Sequence, residues 1–199
     1  MIADDLLLTQ KGGEIRSTLI NVNDHSISES LLIDPVLFVE SNKYAKRSLH
    51  LGWCKPIIKR RFLIDNELRY DDSLKVMEDY WFYLQCLLSN AKFVLIPRAY
   101  YYLYSRQGSL GRANSSRVLK DNIRKTQKLL SLPTVKSNSN LVSALLSNKK
   151  IYQEHFDYQS VMEFVRSKKW ALIFFKIFQY PRFLKVFIVR VIFGFNSIK

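Results

Sequence analysis

Two adjacent acids, Glu78 and Asp79, stand directly ahead of the aromatic run Tyr80-Trp81-Phe82-Tyr83. A carboxylate at the surface of a packed element can take a proton from a hydroxyl group or hold sugar hydroxyls by hydrogen bonds. The apolar residues Tyr80, Leu84, Leu87 and Leu88 recur at helical spacing, with Trp81 and Cys86 widening the stripe, so a buried helix is expected from about Met77 to Ser89-Asn90. Asn90 suits the left-handed position that ends a helix. Acids in a first turn face the positive end of the helix dipole, which keeps them charged at small cost. Adjacent helical residues point about 100° apart. One acid can therefore meet a given hydroxyl, while the other pairs or caps.

Several elements must position this pair. Downstream, Lys92 to Ile96 is a β-rich run closed by Pro97, Ala99 to Tyr104 is a second aromatic run that makes a hairpin with it, and Arg106-Gln107-Gly108-Ser109 is a basic loop. Upstream, Gly52-Trp53-Cys54-Lys55-Pro56-Ile57-Ile58-Lys59-Arg60-Arg61-Phe62-Leu63 mixes apolar and cationic residues, and Leu68-Arg69-Tyr70-Asp71 leads to the acids. Trp53 reads either as a packing residue or as an aromatic wall.

This order resembles the acceptor-side half of the family 2 glycosyltransferases of the GT-A fold. The similarity covers roughly Gly52 to Arg112 and is carried by the upstream segment, Leu68 to Asp71, Glu78-Asp79, the strand ending Ile96-Pro97, Tyr100-Tyr101-Tyr102-Leu103-Tyr104 and Gly108-Ser109. It implies an α/β fold, an incomplete GT-A-like mixed sheet with flanking helices. It also implies transfer of a sugar from a nucleotide-sugar to a glycan or lipid-linked acceptor of a bacterial surface polysaccharide such as lipopolysaccharide. Asp79 would be the general base and Glu78 would orient the site. Arg106, Gly108 and Ser109 would hold the donor diphosphate, and Trp53 and Lys55 the acceptor. The intact family enzyme uses a divalent metal, Mg or Mn, held by an aspartate-rich motif after a nucleotide-binding half. That motif is not evident here, so no metal ligand is assigned and the chain reads as the distal portion, with a separate nucleotide-binding half as a partner.

The rest of the chain fits one catalytic portion and an appendage, with domains expected at 1–112 and 113–199. Met1 to Gln10 reads as a strand, Lys11 to Glu14 as a turn and Ile15 to Val22 as a second strand. Asp4-Asp5 reads as solvation of a strand edge in preference to a metal motif, and it also argues against a signal peptide. Ser30 to Val39 is ambiguous, Glu40 to Leu51 suggests a short helix, and His25, His50 and His155 have no partner at metal-ligand spacing. Cys54 and Cys86 make neither a disulfide framework nor a metal motif.

Charge divides sharply. Residues 1–106 hold 14 Lys+Arg and 13 Asp+Glu, whereas residues 107–199 hold 17 and 4. After Arg166 there is no acid, and the tail alternates aromatic and aliphatic runs with cations. Ser115 to Leu132 reads as a basic helix, Pro133 to Asn140 as a linker, and Leu141 to Phe164 as one or two helices. Near 166–195 two amphipathic helices are expected on an anionic membrane surface, with core helices as the alternative; no apolar run is long enough to span a bilayer. The location implied is cytoplasmic, peripheral on the inner face of the membrane. A non-catalytic membrane-associated relative is the second reading. Nucleic acid binding is disfavoured because the aromatic residues lie in long apolar runs rather than along a basic groove.

Overall fold

The computed structural model describes residues 1–9, 15–18, 29–44, 49–104 and 116–167. Its elements run β1 (Ile2–Thr9), β2 (Ile15–Thr18), β3 (Leu31–Ile33), α1 (Pro35–Glu40), a 3-10 turn (Leu51–Trp53), α2 (Arg60–Asp65), α3 (Glu78–Leu88), β4 (Phe93–Tyr104), α4 (Ser116–Ser131), α5 (Pro133–Lys136) and α6 (Ser139–Arg166). The strands form one mixed sheet in the order β2-β1-β4-β3, with β1 parallel to β4 and the other pairs antiparallel. The architecture is the α/β mixed sheet with flanking helices expected for an incomplete GT-A-like fold.

Pro97 does not close a strand. Phe93 to Tyr104 is one strand, not a hairpin, because the register slips where the proline sits: Asp4 pairs with Ile96, and Asp5 next pairs with Ala99. Pro97 and Arg98 bulge out of the ladder, so no donor is asked of the residue that lacks an N–H. The Asp4 carboxylate accepts from the Tyr100 N–H at 2.8 Å and pins the strand beyond the bulge. Asp5 is buried, and its carboxylate accepts from the Leu6 N–H at 2.7 Å. Edge solvation is therefore the wrong account of this acid pair, because β1 lies between β2 and β4.

Asp34 and Pro35 settle the ambiguous stretch. Asp34 caps α1 by accepting from the Leu37 N–H at 2.8 Å, and Pro35 occupies the first helical turn, where no N–H is needed. The helix thus ends at Glu40 instead of starting there; Ser41, Asn42 and Tyr44 lie in turns, and residues 45–48 of the expected helix lie outside the described residues. Polar Pro133 to Asn140 is likewise helical in part, since Pro133 starts α5 and α6 already begins at Ser139.

The core lies on one face of the sheet. Ala3, Ile33, Phe93 and Leu95 are buried there, and Phe38 of α1 packs between Phe93 and Tyr80 of α3, with ring centroids 6.3 and 5.4 Å away. α3 buries Tyr80 to Leu84, Cys86 and Leu87 and is enclosed on nearly every side. It ends as its Asn90 suggests. Asn90 is left-handed at φ 65, its N–H bonds to Leu87 O at 3.0 Å, and the Ala91 N–H bonds to Cys86 O at 3.0 Å, which closes a Schellman motif.

The described residues divide into two compact units, each built from two stretches of chain. Met1–Asn114 joins Leu130–Asn148 in one, where Asn148 donates to Val39 O at 2.9 Å. Ser115–Leu129 and the residues from Lys149 form the other, in which Leu119, Asn122, Thr126, Ile151 and Tyr152 are buried. No helix among the described residues is long and apolar enough to cross a membrane. The tail helices expected near 166–195 lie outside the described residues.

A β-branched residue at position 90 would have to hold a left-handed backbone. Asn90→Val is expected to lower unfolding stability by about 1–2 kcal/mol, and Asn90→Gly to leave it equal or higher, read from urea denaturation.

Candidate active site around Asp79

Met77 makes the turn that places the acids. Its φ of 63 reverses the chain immediately before α3, so Glu78 and Asp79 fall in the first turn of a helix whose N-cap side chain makes no hydrogen bond. Backbone N–H groups and the helix dipole then favour negative charge at that end.

Asp79 is the meeting point of three segments. Lys55 donates to Oδ2 in an ion pair. The Tyr70 hydroxyl donates to Oδ1 at 3.0 Å, and the Tyr83 hydroxyl, one helical turn on, lies 3.4 Å from the same atom. The Tyr70 ring is fixed by stacking on Phe82, with centroids 4.1 Å apart and planes inclined by 21°. The Asp79 and Lys55 side chains keep 23% and 40% of their accessible surface, so the carboxylate is oriented yet open to solvent.

The approach of Lys55 depends on Gly52. A side chain at position 52 would place its Cβ 3.0 Å from Asn42 Oδ1 and 3.2 Å from Tyr80 Cβ, because the 3-10 turn lies against α3. The Gly52 N–H also donates to Asn42 Oδ1 at 2.7 Å. Asn42 is buried and donates in turn to Phe38 O at 2.6 Å, which links the turn to α1.

The expected site residues are only partly brought together. Lys55 and Asp79 meet. Glu78 sits beside them, and its carboxylate makes no hydrogen bond or ion pair among the described residues. Trp53 remains 49% exposed and stacks on His50, with centroids 4.8 Å apart; it packs on one side and offers a free face on the other. Arg106, Gly108 and Ser109 lie outside the described residues. Among the described residues no group of three His, Cys, Asp or Glu side chains could hold a metal ion.

Tyr70 and Tyr83 were missed. Tyr83 is four residues after Asp79 and so shares its helix face, a signal present in the sequence. Tyr70 arrives through a loop and gave no such signal. Both phenols are held neutral. Burial is the main cause for each; the Asp79 carboxylate adds to it, pushing Tyr70 up to about 12 and Tyr83 further.

With this geometry in place, comparison with known proteins finds two relatives. The chain is similar to succinoglycan biosynthesis proteins. It is 36% identical over 75 residues to the succinoglycan biosynthesis protein ExoO of Rhizobium meliloti (strain 1021), covering 38% of this chain and 22% of that protein. It is 35% identical over 91 residues to ExoU of the same organism, covering 45% and 27%. The match spans about a quarter of each relative's length. No family model and no solved structure matches.

Two predictions follow from this packing. Gly52→Ala should cost about 1–3 kcal/mol of stability by urea denaturation, because Tyr80 backbone and side chain cannot both move away. For the phenols, the folded pKa lies above the ordinary value of 10, so the folded chain keeps protons that the unfolded chain releases. Their contribution is complete below about pH 10 and declines as pH climbs toward 12. Denaturation midpoints should fall over that range, and Tyr70→Phe with Tyr83→Phe should flatten part of the slope; buried Tyr80 and Cys54, which are also pushed up, keep the rest.

Proposed function

We propose that this chain is the acceptor-side portion of an inverting, family 2 type glycosyltransferase for a bacterial surface glycan, with Asp79 as its base. The observation that carries this reading is a solvent-reachable carboxylate held in one orientation by Lys55, Tyr70 and Tyr83 at a helix N-terminus, in a chain similar to two succinoglycan biosynthesis proteins.

The chemistry asks for one proton acceptor and one site for departing charge. A sugar hydroxyl of the acceptor attacks the anomeric carbon of a nucleotide-sugar; its new C–O bond forms as the bond to the diphosphate breaks, and the diphosphate leaves with the electron pair from the opposite face. The hydroxyl proton passes to Asp79. Tyr70, exposed and on a loop, occupies Oδ1 now and is the donor that an acceptor hydroxyl would replace. Tyr83 is buried and stays to hold the carboxylate plane, while Lys55 balances its charge. Glu78 is free to bind further acceptor hydroxyls, and the open face of Trp53 can stack against a sugar ring. Arg106 with the backbone N–H groups of Gly108 and Ser109 is assigned to the leaving diphosphate. The divalent metal of the intact family enzyme is left to a nucleotide-binding half, because the described residues offer it no ligand set. The acid-free tail suits a peripheral position on an anionic membrane.

A non-catalytic relative is the second reading, favoured by one feature: both oxygens of Asp79 are already engaged. The two readings part on one substitution. With the nucleotide-binding half supplied and membranes carrying the lipid-linked acceptor, Asp79→Asn should lower sugar transfer by ~100-fold or more while the denaturation midpoint holds. Transfer within a few-fold of the native chain would remove Asp79 from the base role.

A further inference from the structure

The short helix α2 ends in a tight reversal. The Glu67 N–H bonds to Ile64 O at 3.1 Å and the Leu68 N–H to Leu63 O at 2.9 Å, a Schellman motif in which Glu67 takes the left-handed position at φ 52. Glycine or asparagine usually stands there, and a glutamate holds the position against backbone strain. The reversal sends the chain back along the helix. Arg69, just beyond the turn, and Arg60, in the first turn of α2, thereby line one cavity of about 540 Å³ with Leu63, Ile64, Glu67 and Leu68. Pockets for small ligands run from about 300 to 1,000 Å³.

The charged side chains of this cavity stand without partners. Among the described residues Arg60, Glu67 and Arg69 form no side-chain ion pair or hydrogen bond, whereas Arg61, on the same helix but not part of the lining, pairs with Asp65. Two guanidinium groups at one cavity repel each other, and one glutamate offsets only one of them. A bound anion relieves that repulsion, and guanidinium groups take a carboxylate or a phosphate in bidentate hydrogen bonds. Glu67 asks for more than an anion, because its acceptor oxygens need donors, which hydroxyl groups supply. Leu63, Leu68 and Ile64, the last 62% exposed, offer an apolar wall to the C–H face of a ring. A hydroxylated ring with an acid group satisfies all six lining residues.

We propose that this cavity binds an acidic sugar, a pyranose bearing a carboxylate or a phosphate ester. Arg60 and Arg69 clamp the anionic group, Glu67 accepts from ring hydroxyls, and Leu63, Ile64 and Leu68 cover the apolar face. The class of ligand follows from the lining; that the sugar belongs to the acceptor glycan, at a residue other than the one that attacks, rests on the glycosyltransferase reading. Its place in the chain favours this. Arg69 directly precedes Tyr70, whose hydroxyl lies 3.0 Å from Asp79 Oδ1, so one short segment carries both a wall of the cavity and a partner of that carboxylate. An acceptor anchored here by its acidic sugar has less freedom to lose on reaching Asp79 than a neutral one.

Titration of the isotope-labelled full chain by NMR tests it, with dissociation constants read from the amide shifts of Leu63, Leu68 and Arg69. The probes are methyl glucoside, methyl glucuronide, the primary phosphate ester of methyl glucoside, and inorganic phosphate; binding to phosphatidylglycerol vesicles is read by co-sedimentation. At least one of the two acidic sugars should bind tenfold or more tightly than both methyl glucoside and inorganic phosphate. Arg60→Gln and Arg69→Gln, at exposed positions where the fold does not depend on them, should each weaken that binding about tenfold. Glu67→Gln, which keeps the same backbone demand, should weaken the acidic sugar without weakening inorganic phosphate, and Arg61→Gln should change neither. The proposal fails if neither acidic sugar binds, if methyl glucoside binds as tightly, or if Arg61→Gln costs as much as Arg60→Gln. Equal binding of inorganic phosphate would reduce the cavity to a site for an adventitious ion only. Vesicle binding that is lost in Arg60→Gln with Arg69→Gln would overturn it in favour of a lipid headgroup. None of these readouts involves sugar transfer or Asp79, so failure here leaves the base assignment standing, and loss of that assignment leaves the ligand of the cavity standing.

Discussion

The parallel pairing of β1 with β4 is the constraint on which the rest depends. It joins the start of the chain to a strand that follows α3, and every other described element of that unit hangs from it: β2 pairs outside β1, β3 pairs outside β4, and α1 and α3 pack over Phe93 and Leu95. Parallel ladders cannot be closed by a tight turn, so the chain between must cross over. That crossover contains α1, the 3-10 turn, α2 and α3, the very elements that deliver Lys55, Tyr70 and Asp79 to one place. Site and sheet are thus one construction.

The ladder tolerates a proline because an acid repairs it. Pro97 would leave a gap in the hydrogen bonds of a regular strand; the bulge moves it out of register, and the Asp4 carboxylate takes over the Tyr100 N–H that the slip sets free. Asp4-Asp5 therefore do backbone work. Two acids that resemble a metal motif in one dimension are bound to main-chain donors in three.

The Asp79 cluster gathers partners from a helix, a turn and a loop. Tyr83 and Lys55 approach from a helix and from a turn locked by Gly52 and Asn42, whereas Tyr70 comes from an exposed loop. Trp53, stacked on His50, keeps about half its surface exposed beside them.

Local chemistry was legible in the residues themselves. The extent of α3, its left-handed Asn90 terminus, the strand around Leu6 to Leu8 and the basic helix near 116–131 all follow from spacing and capping, which act within a few residues. The approach of Lys55 to Asp79 carried no signal in the sequence, and Asp34-Pro35 starts a helix that ends at Glu40, where the pattern had suggested one to begin. Tertiary structure alone decided two things: that β4 runs through Pro97 and that Tyr70 reaches Asp79. Each depends on which separate segments of chain meet, and the pattern of side chains within one segment does not fix that.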